Sequence, residues 1–161
     1  MGMYTDLQVK GVLNDIYVDE IKRLMGCRLS GQDFWASSEI KELRSFGEND
    51  TRADFIPMGA CVYHDELEED ISDGTKLSLI QKDDKYIWEF VCTLKNYDDT
   101  IGTWINDIAT RLFRHATLYT WYEETRHPTK WTISRGVLTD HGLDKSMGYS
   151  VPEYGPYGLP L

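Results

Sequence analysis

The sequence predicts an α+β fold: a mostly antiparallel sheet with helices on one face, ferredoxin-like with additions. Three observations carry the prediction. Apolar residues repeat with period two in some segments and with period 3.6 in others. The segments run strand, helix, helix, strand, strand, strand, helix, strand, strand, so strands cluster more than they alternate with helices. The chain has 161 residues, 41% hydrophobic and 27% charged, which is one domain of ordinary globular composition. A domain of that size buries about 70% of the surface of its unfolded chain and needs no staple.

The first strand is "TDLQVKGVL" (5–13), where Leu7 and Val9 alternate before Val12 and Leu13. A helix follows in "NDIYVDEIKRLMG", with Asn14 or Asp15 as cap, Ile16, Ile21, Leu24 and Met25 on one face, and Gly26 as its end. A second helix is predicted in "SSEIKELRSFG", capped by Ser37 or Ser38, stopped by Gly47, with Ile40, Leu43 and Phe46 sharing a face. "GENDTR" (47–52) is a turn cluster.

"ADFIPMGACVYH" (53–64) reads as a strand that Pro57 and Gly59 demote to an edge or a bulge. "TKLSLIQ" (75–81) alternates and pairs through the turn "KDDK" with "YIWEFVCTLKNY" (86–97), whose two apolar faces mark a central strand. "DDTIGTWINDIATRLFRHA" (98–116) is the clearest helix. Asp98 or Asp99 caps it, Ile101, Trp104, Ile105, Ile108 and Leu112 form its stripe, and Arg111, Arg114 and His115 suit its C-terminal end. "TLYTWYEE" (117–124) and "TKWTIS" (129–134) are strands. Residues 1–145 make the single domain, and 146–161 a Gly-, Pro- and Tyr-rich tail without regular structure, either loose or an arm docked on a neighbour.

Charge narrows the partners. Lys and Arg number 17, Asp and Glu 27, for a formal charge of −10. Binding to phosphates works by counterion release and needs a basic surface, so no direct nucleic acid partner and no anionic membrane are expected. A basic protein partner fits, with long-range attraction speeding encounter. No apolar run has the length of a signal segment or a membrane span. "MGMYTD" has Asp6 where a myristoylation signal wants Ser or Thr. Cys27, Cys61 and Cys92 are odd in number and form no C-x-x-C, so Cys61 and Cys92 are expected as buried thiols in a reducing cytoplasm.

The densest charge lies in "HDELEEDISD" (64–73), which has six acidic residues and no Lys or Arg. It lacks the alternation and glycine of an EF-hand loop. Asp65, Glu66, Glu68, Glu69, Asp70 and Asp73 are the candidate partner-binding residues, set against the plainer reading of a solvated loop. No metal and no cofactor is expected. None of His64, His115, His127 and His141 stands in H-x-x-x-H or H-E-x-x-H spacing, and no dinucleotide fingerprint, P-loop or nucleophile elbow occurs. Tyr119 and Trp121 on one face of their strand have the look of base-stacking aromatics, but Glu123 and Glu124 follow them, and a core role is the better reading.

Three stretches, "TDLQVKG", "RADFIPMG" and "WEFVCTLKNYDDTI", resemble small acidic uncharacterised proteins of bacteriophages and prophages. The likeness covers about half the chain and includes no catalytic motif. It implies a bacterial host cytoplasm and an accessory protein that works by binding. Anti-defence proteins, anti-CRISPR proteins among them, are a prominent set of that kind, and acidic ones occupy basic channels built for nucleic acid.

The expected function is therefore a non-enzymatic inhibitor whose acidic surface mimics nucleic acid against a basic host protein such as a nuclease effector. Two alternatives stand beside it. One is a self-assembling or ligand-sensing ferredoxin-like module, dimerising through an edge such as 53–64. The other is a small metal-assisted phosphodiesterase recruiting His64, Asp65, Glu68, His127, Asp140 or His141 from distant parts of the chain.

Overall fold

The computed structural model describes residues 4–57 and 77–148. β1 (Tyr4–Leu13) leads into α1 (Asp15–Leu29), a 3₁₀ turn (Trp35–Ser37), α2 (Lys41–Asn49) and a second 3₁₀ turn (Ala53–Phe55). β2 (Leu77–Lys82) and β3 (Lys85–Lys95) form a hairpin. The helical segment α3 (residues 100–112) is α-helical over Thr100–Trp104, widens to a π-helical turn over Ile105–Ala109 and closes with an α turn at Thr110–Leu112. β4 (Phe113–Tyr122), β5 (Thr129–Ser134) and β6 (Val137–Leu143) complete the chain's strands among the described residues.

The fold is α+β, with one six-stranded sheet in the order β2-β3-β1-β4-β5-β6 and every neighbouring pair antiparallel. β3 and β4 flank β1, so α3 carries the chain over β1 from one side to the other. α1 and α2 lie in the connection from β1 to β2, with β3 between those two strands.

The main core lies on one face of the sheet. Leu7 and Val9 of β1, Trp88, Phe90, Cys92 and Leu94 of β3, Leu118 of β4 and Ile133 of β5 share that face by register. They pack with Val18, Ile21 and Leu24 of α1 and with Ile101, Trp104, Ile105, Ile108 and Leu112 of α3. An aromatic cluster fills the centre: the Phe34 and Trp35 ring centroids stand 4.6 Å apart, those of Trp88 and Phe90 4.9 Å, and Trp104 sits edge-on to Phe90 at 5.7 Å. Cys92 is buried, as the sequence suggests, while Cys61 lies outside the described residues.

Some expectations change. Residues 53–57 are not a strand. The Asp50 carboxylate accepts from the Arg52 amide at 2.9 Å, the Asp50 carbonyl accepts from Ala53, and the chain turns. Trp35 Nε1 donates to the Ile56 carbonyl at 2.7 Å and ties the turn to the core. The edge proposed for dimerisation at 53–64 therefore has no strand in its described part, and 58–64 lie outside the described residues. Ile16 is 80% exposed, and Val18 takes its place on the buried face of α1. Gly26 does not stop α1, which runs to Leu29 before Gly31 turns at φ +80°. Gly47 lies inside α2 rather than after it. β4 begins at Phe113, because Asn14 pins the end of α3 with its amide on Leu112 O (2.7 Å) and its Nδ2 on Arg111 O (2.9 Å). Arg114 and His115 thus belong to a strand.

Candidate binding cleft

The chain leaves β3 at Asn96 and enters α3 through a tight turn. Asp98 and Asp99 both take the left-handed conformation, at φ 56° and 54°. Asp tolerates it better than most residues because its short side chain bonds locally. Here Asp99 Oδ1 accepts from the Gly102 amide and from Asn96 Nδ2, each at 3.2 Å, and Asn96 Oδ1 accepts from the Ile101 amide at 2.8 Å. The carboxylate caps the helix and is held in place on one side. Gly102 makes room for it: a Cβ there would lie 2.2 Å from Asp99 Oδ2. Thr100 Oγ1 donates to Asp50 Oδ1 at 2.9 Å and fastens the turn to the loop after α2.

Beside this turn α3 and the sheet part, leaving a cleft of about 330 Å³. That is the small end of ligand-sized cavities. Its sheet wall is a set of threonines: Thr5 on β1, and Thr120 and Thr129, directly paired on β4 and β5. Trp131 Nε1 donates to Thr120 Oγ1 at 3.0 Å, which fixes the indole as a wall. Tyr122 forms another wall, with Thr125 Oγ1 bonded to its carbonyl at 2.9 Å. Burial first, then the negative charges of Glu124 and Glu123, raise the Tyr122 phenol above its ordinary pKa. Ile101 and Ile105 supply the apolar floor, and Asn106 and Asp99 stand on the helix side. Asp99 is the one charged residue among those lining the cleft.

On the other flank of α3, a second cleft of about 260 Å³ opens toward α2. Glu42, Asp50 and Asp107 line it with Ser45, Asn49 and Thr103, again without Lys or Arg.

The sheet's second face is polar and buried along its centre. Asp6 and Gln8 of β1 and Glu89 and Thr93 of β3 are all buried, and Lys10 Nζ reaches Glu89 Oε1 at 3.7 Å. Buried charge requires such partners. Trp121 and Val91 form a small apolar cluster there, with Tyr119 and Met147 against it. Trp121 is a core residue on this face, as its sequence context indicates.

Two other groups of ionisable residues are specific to the tertiary structure. Burial pushes the Glu20 carboxyl up, but hydrogen bonds from Arg23, Ser38 and the Glu39 amide outweigh it and bring the pKa down to about 2. Burial, then a hydrogen bond and negative charge from Asp33, raise Asp54, against the Phe34 amide and Arg28.

The acidic run with Asp65, Glu66, Glu68, Glu69, Asp70 and Asp73, and His64 beside it, lies outside the described residues. The remaining residues of the phosphodiesterase alternative have other occupations. His127 Nδ1 is 2.7 Å from the Met147 carbonyl, His141 Nε2 is 2.7 Å from Thr132 Oγ1, and Asp140 Oδ1 accepts from the Gly142 amide at 2.7 Å. His115 lies 3.3 Å from Ser134 Oγ on β5. Among the described residues no three His, Cys, Asp or Glu side chains gather as metal ligands would. None of the described helices is long and apolar enough to cross a membrane.

The sequence marks Asp99 as a cap but not as part of a cleft, and it does not mark Thr5, Thr120, Thr129 or Trp131. The available signal is weak: threonine at inward-facing positions of three strands adjacent in the sheet, one of them, β1, far from the other two in the chain. Compared with family models, with curated proteins and with solved structures, the chain gives no significant match.

Proposed function

We propose that this protein acts by binding rather than by chemistry of its own, and that its partner is a basic protein of the kind that handles nucleic acid. The observation that supports this best is the sign of the charge around α3. The clefts on its two flanks are lined by Asp99 on one side and by Glu42, Asp50 and Asp107 on the other, with no Lys or Arg among their lining residues. Four carboxylates in two clefts are ordinary by themselves, but here they add to a chain at −10 whose run 64–73 carries six acidic residues and no basic one. Such a field attracts the Lys and Arg side chains that otherwise hold phosphates. The form that the sequence resemblance gives to this reading is a phage-type anti-defence protein, competing with nucleic acid for a basic channel in the bacterial cytoplasm.

The test is affinity capture from a bacterial lysate with the full chain as bait, at low and at high salt. A bait with Glu66, Glu68, Glu69 and Asp70 changed to Gln or Asn serves as control. The expected result is a basic nucleic-acid enzyme retained by the native chain at low salt, released by high salt and not retained by the control. Capture that ignores both salt and the substitutions refutes the electrostatic reading.

A further inference from the structure

The cleft between the start of α3 and β4–β5 has the chemistry of a cation site. Thr5 lines it and is only 9% exposed. A threonine hydroxyl has two lone pairs, so one at the cleft wall is an acceptor for a ligand's N–H. Thr120 Oγ1 receives the Trp131 indole N–H, and its remaining lone pair can accept from a ligand. Asp99 Oδ1 is occupied by Gly102 and Asn96, which fixes the carboxylate and leaves Oδ2 as acceptor. The walls are the aromatic side chains of Trp131 and Tyr122.

Acceptors on one side, aromatic surface on the other and a single carboxylate describe what a guanidinium requires. It is planar, carries five N–H donors and no acceptor, stacks on aromatic rings and is only weakly hydrated. An ammonium is a compact, strongly hydrated point charge and gains less from flat walls. A phosphate or carboxylate ligand would meet Asp99 with no cation to offset it.

We propose that this cleft receives an arginine side chain of the protein's basic partner, with its guanidinium between Asp99 and the Thr5 and Thr120 hydroxyls and against Trp131. The identity of the occupant as part of a partner rests on the function proposed above; the guanidinium site itself does not.

The test uses the full chain and N-acetyl-arginine amide as probe, followed through the Trp131 indole N–H resonance. N-acetyl-lysine amide and glucose, each at the same concentration, are the comparisons. The expected result is a saturable shift with the arginine probe at millimolar concentration, at least several-fold weaker binding of the lysine probe, and none of glucose. Thr5→Val, which keeps the side-chain shape, and Asp99→Asn, which keeps the cap, should each weaken the arginine probe several-fold while leaving the melting temperature within a few degrees. No saturable shift, or equal binding by the lysine probe, overturns the proposal. Saturation by glucose instead would make the cleft a site for uncharged polyols. The titration needs no partner. A guanidinium site that appears here while affinity capture fails separates the failure of the functional reading from failure of the site.

Discussion

Ser38 and Glu20, eighteen residues apart in sequence, meet in a 2.7 Å hydrogen bond from Ser38 Oγ to Glu20 Oε2. The same carboxylate accepts from the Glu39 amide at 2.7 Å and from Arg23, whose Nη2 also donates to the Ser37 carbonyl at 2.7 Å. One carboxylate thereby fastens α1 to the turn that starts α2. Glu20→Gln keeps the shape but loses the charge, and should lower stability by about 2 kcal/mol, the worth of hydrogen bonds to a charged group. Urea denaturation at neutral pH measures it.

The pH dependence follows from the same residue. Its folded pKa, about 2, lies below the ordinary value of 4.5. A depressed carboxylate contributes stability that is present above its unfolded pKa and is lost as pH falls through the folded one. Native protein should therefore lose this contribution between about pH 4.5 and pH 2, and the gap between it and Glu20→Gln should close over that window.

Asp33→Asn has the opposite sign. Asp54 is raised above 3.8 by burial and then by Asp33, so its favourable contribution is present below 3.8 and is lost as pH rises through the raised value. Removing the Asp33 charge relieves that loss. The variant should be more stable than native protein at pH 7, and the two should converge below the ordinary Asp value. Thermal melts at the two pH values decide it.

Two helical glycines should respond oppositely to alanine. Around Gly26 in α1 nothing lies within 4 Å of an added Cβ, whereas at Gly47 in α2 it would stand 2.2 Å from the Ala36 backbone nitrogen. Gly26→Ala should stabilise by about 1 kcal/mol through helix propensity. Gly47→Ala forces α2 off the Trp35–Ser37 turn and should cost about 1–3 kcal/mol. Equal melting temperatures for the two variants would contradict this packing.

The core tryptophans separate in the same way. Trp35 Nε1 has the Ile56 carbonyl at 2.7 Å, while Trp88 Nε1 is buried with no hydrogen-bond partner among the described residues. Replacing Trp35 by Phe leaves the Ile56 carbonyl unpaired; replacing Trp88 by Phe removes an unpaired donor. Trp35→Phe should be the more damaging by about 1–2 kcal/mol, as compared by denaturant midpoints.

What the sequence shows and what it hides divide along physical lines. Strands with strong alternation or two apolar faces, such as "TDLQVKGVL" and "YIWEFVCTLK", are legible because burial on a sheet imposes period two. β6 has no such signal, since its side chains are almost all exposed and it is held by backbone pairing to β5. Its one clue is the two-residue loop Arg135–Gly136, whose positive φ values of 50° and 80° belong to a hairpin turn. The apolar run after Arg52 misleads because local bonds from Asp50 turn the chain before it can extend. The cleft is hidden for another reason. Thr5, Asp99, Thr120 and Trp131 come from four separate elements, and only the strand order brings them together.

The central place of β1 has a consequence for the order of events during synthesis. β1 leaves the ribosome before either of its neighbours, β3 (Lys85–Lys95) and β4 (Phe113–Tyr122). Its apolar face, with Leu7 and Val9, must wait with both edges unpaired while α1 and α2 emerge. Pairing on the second edge cannot finish until Tyr122 has cleared the exit tunnel. Long-range closure of this kind is slow, and its waiting period is when a nascent chain is most open to chaperones and to wrong pairing. Moving β1 to the end of the chain by circular permutation would let it insert into a gap already framed by β3 and β4, exchanging that early exposure for a late one.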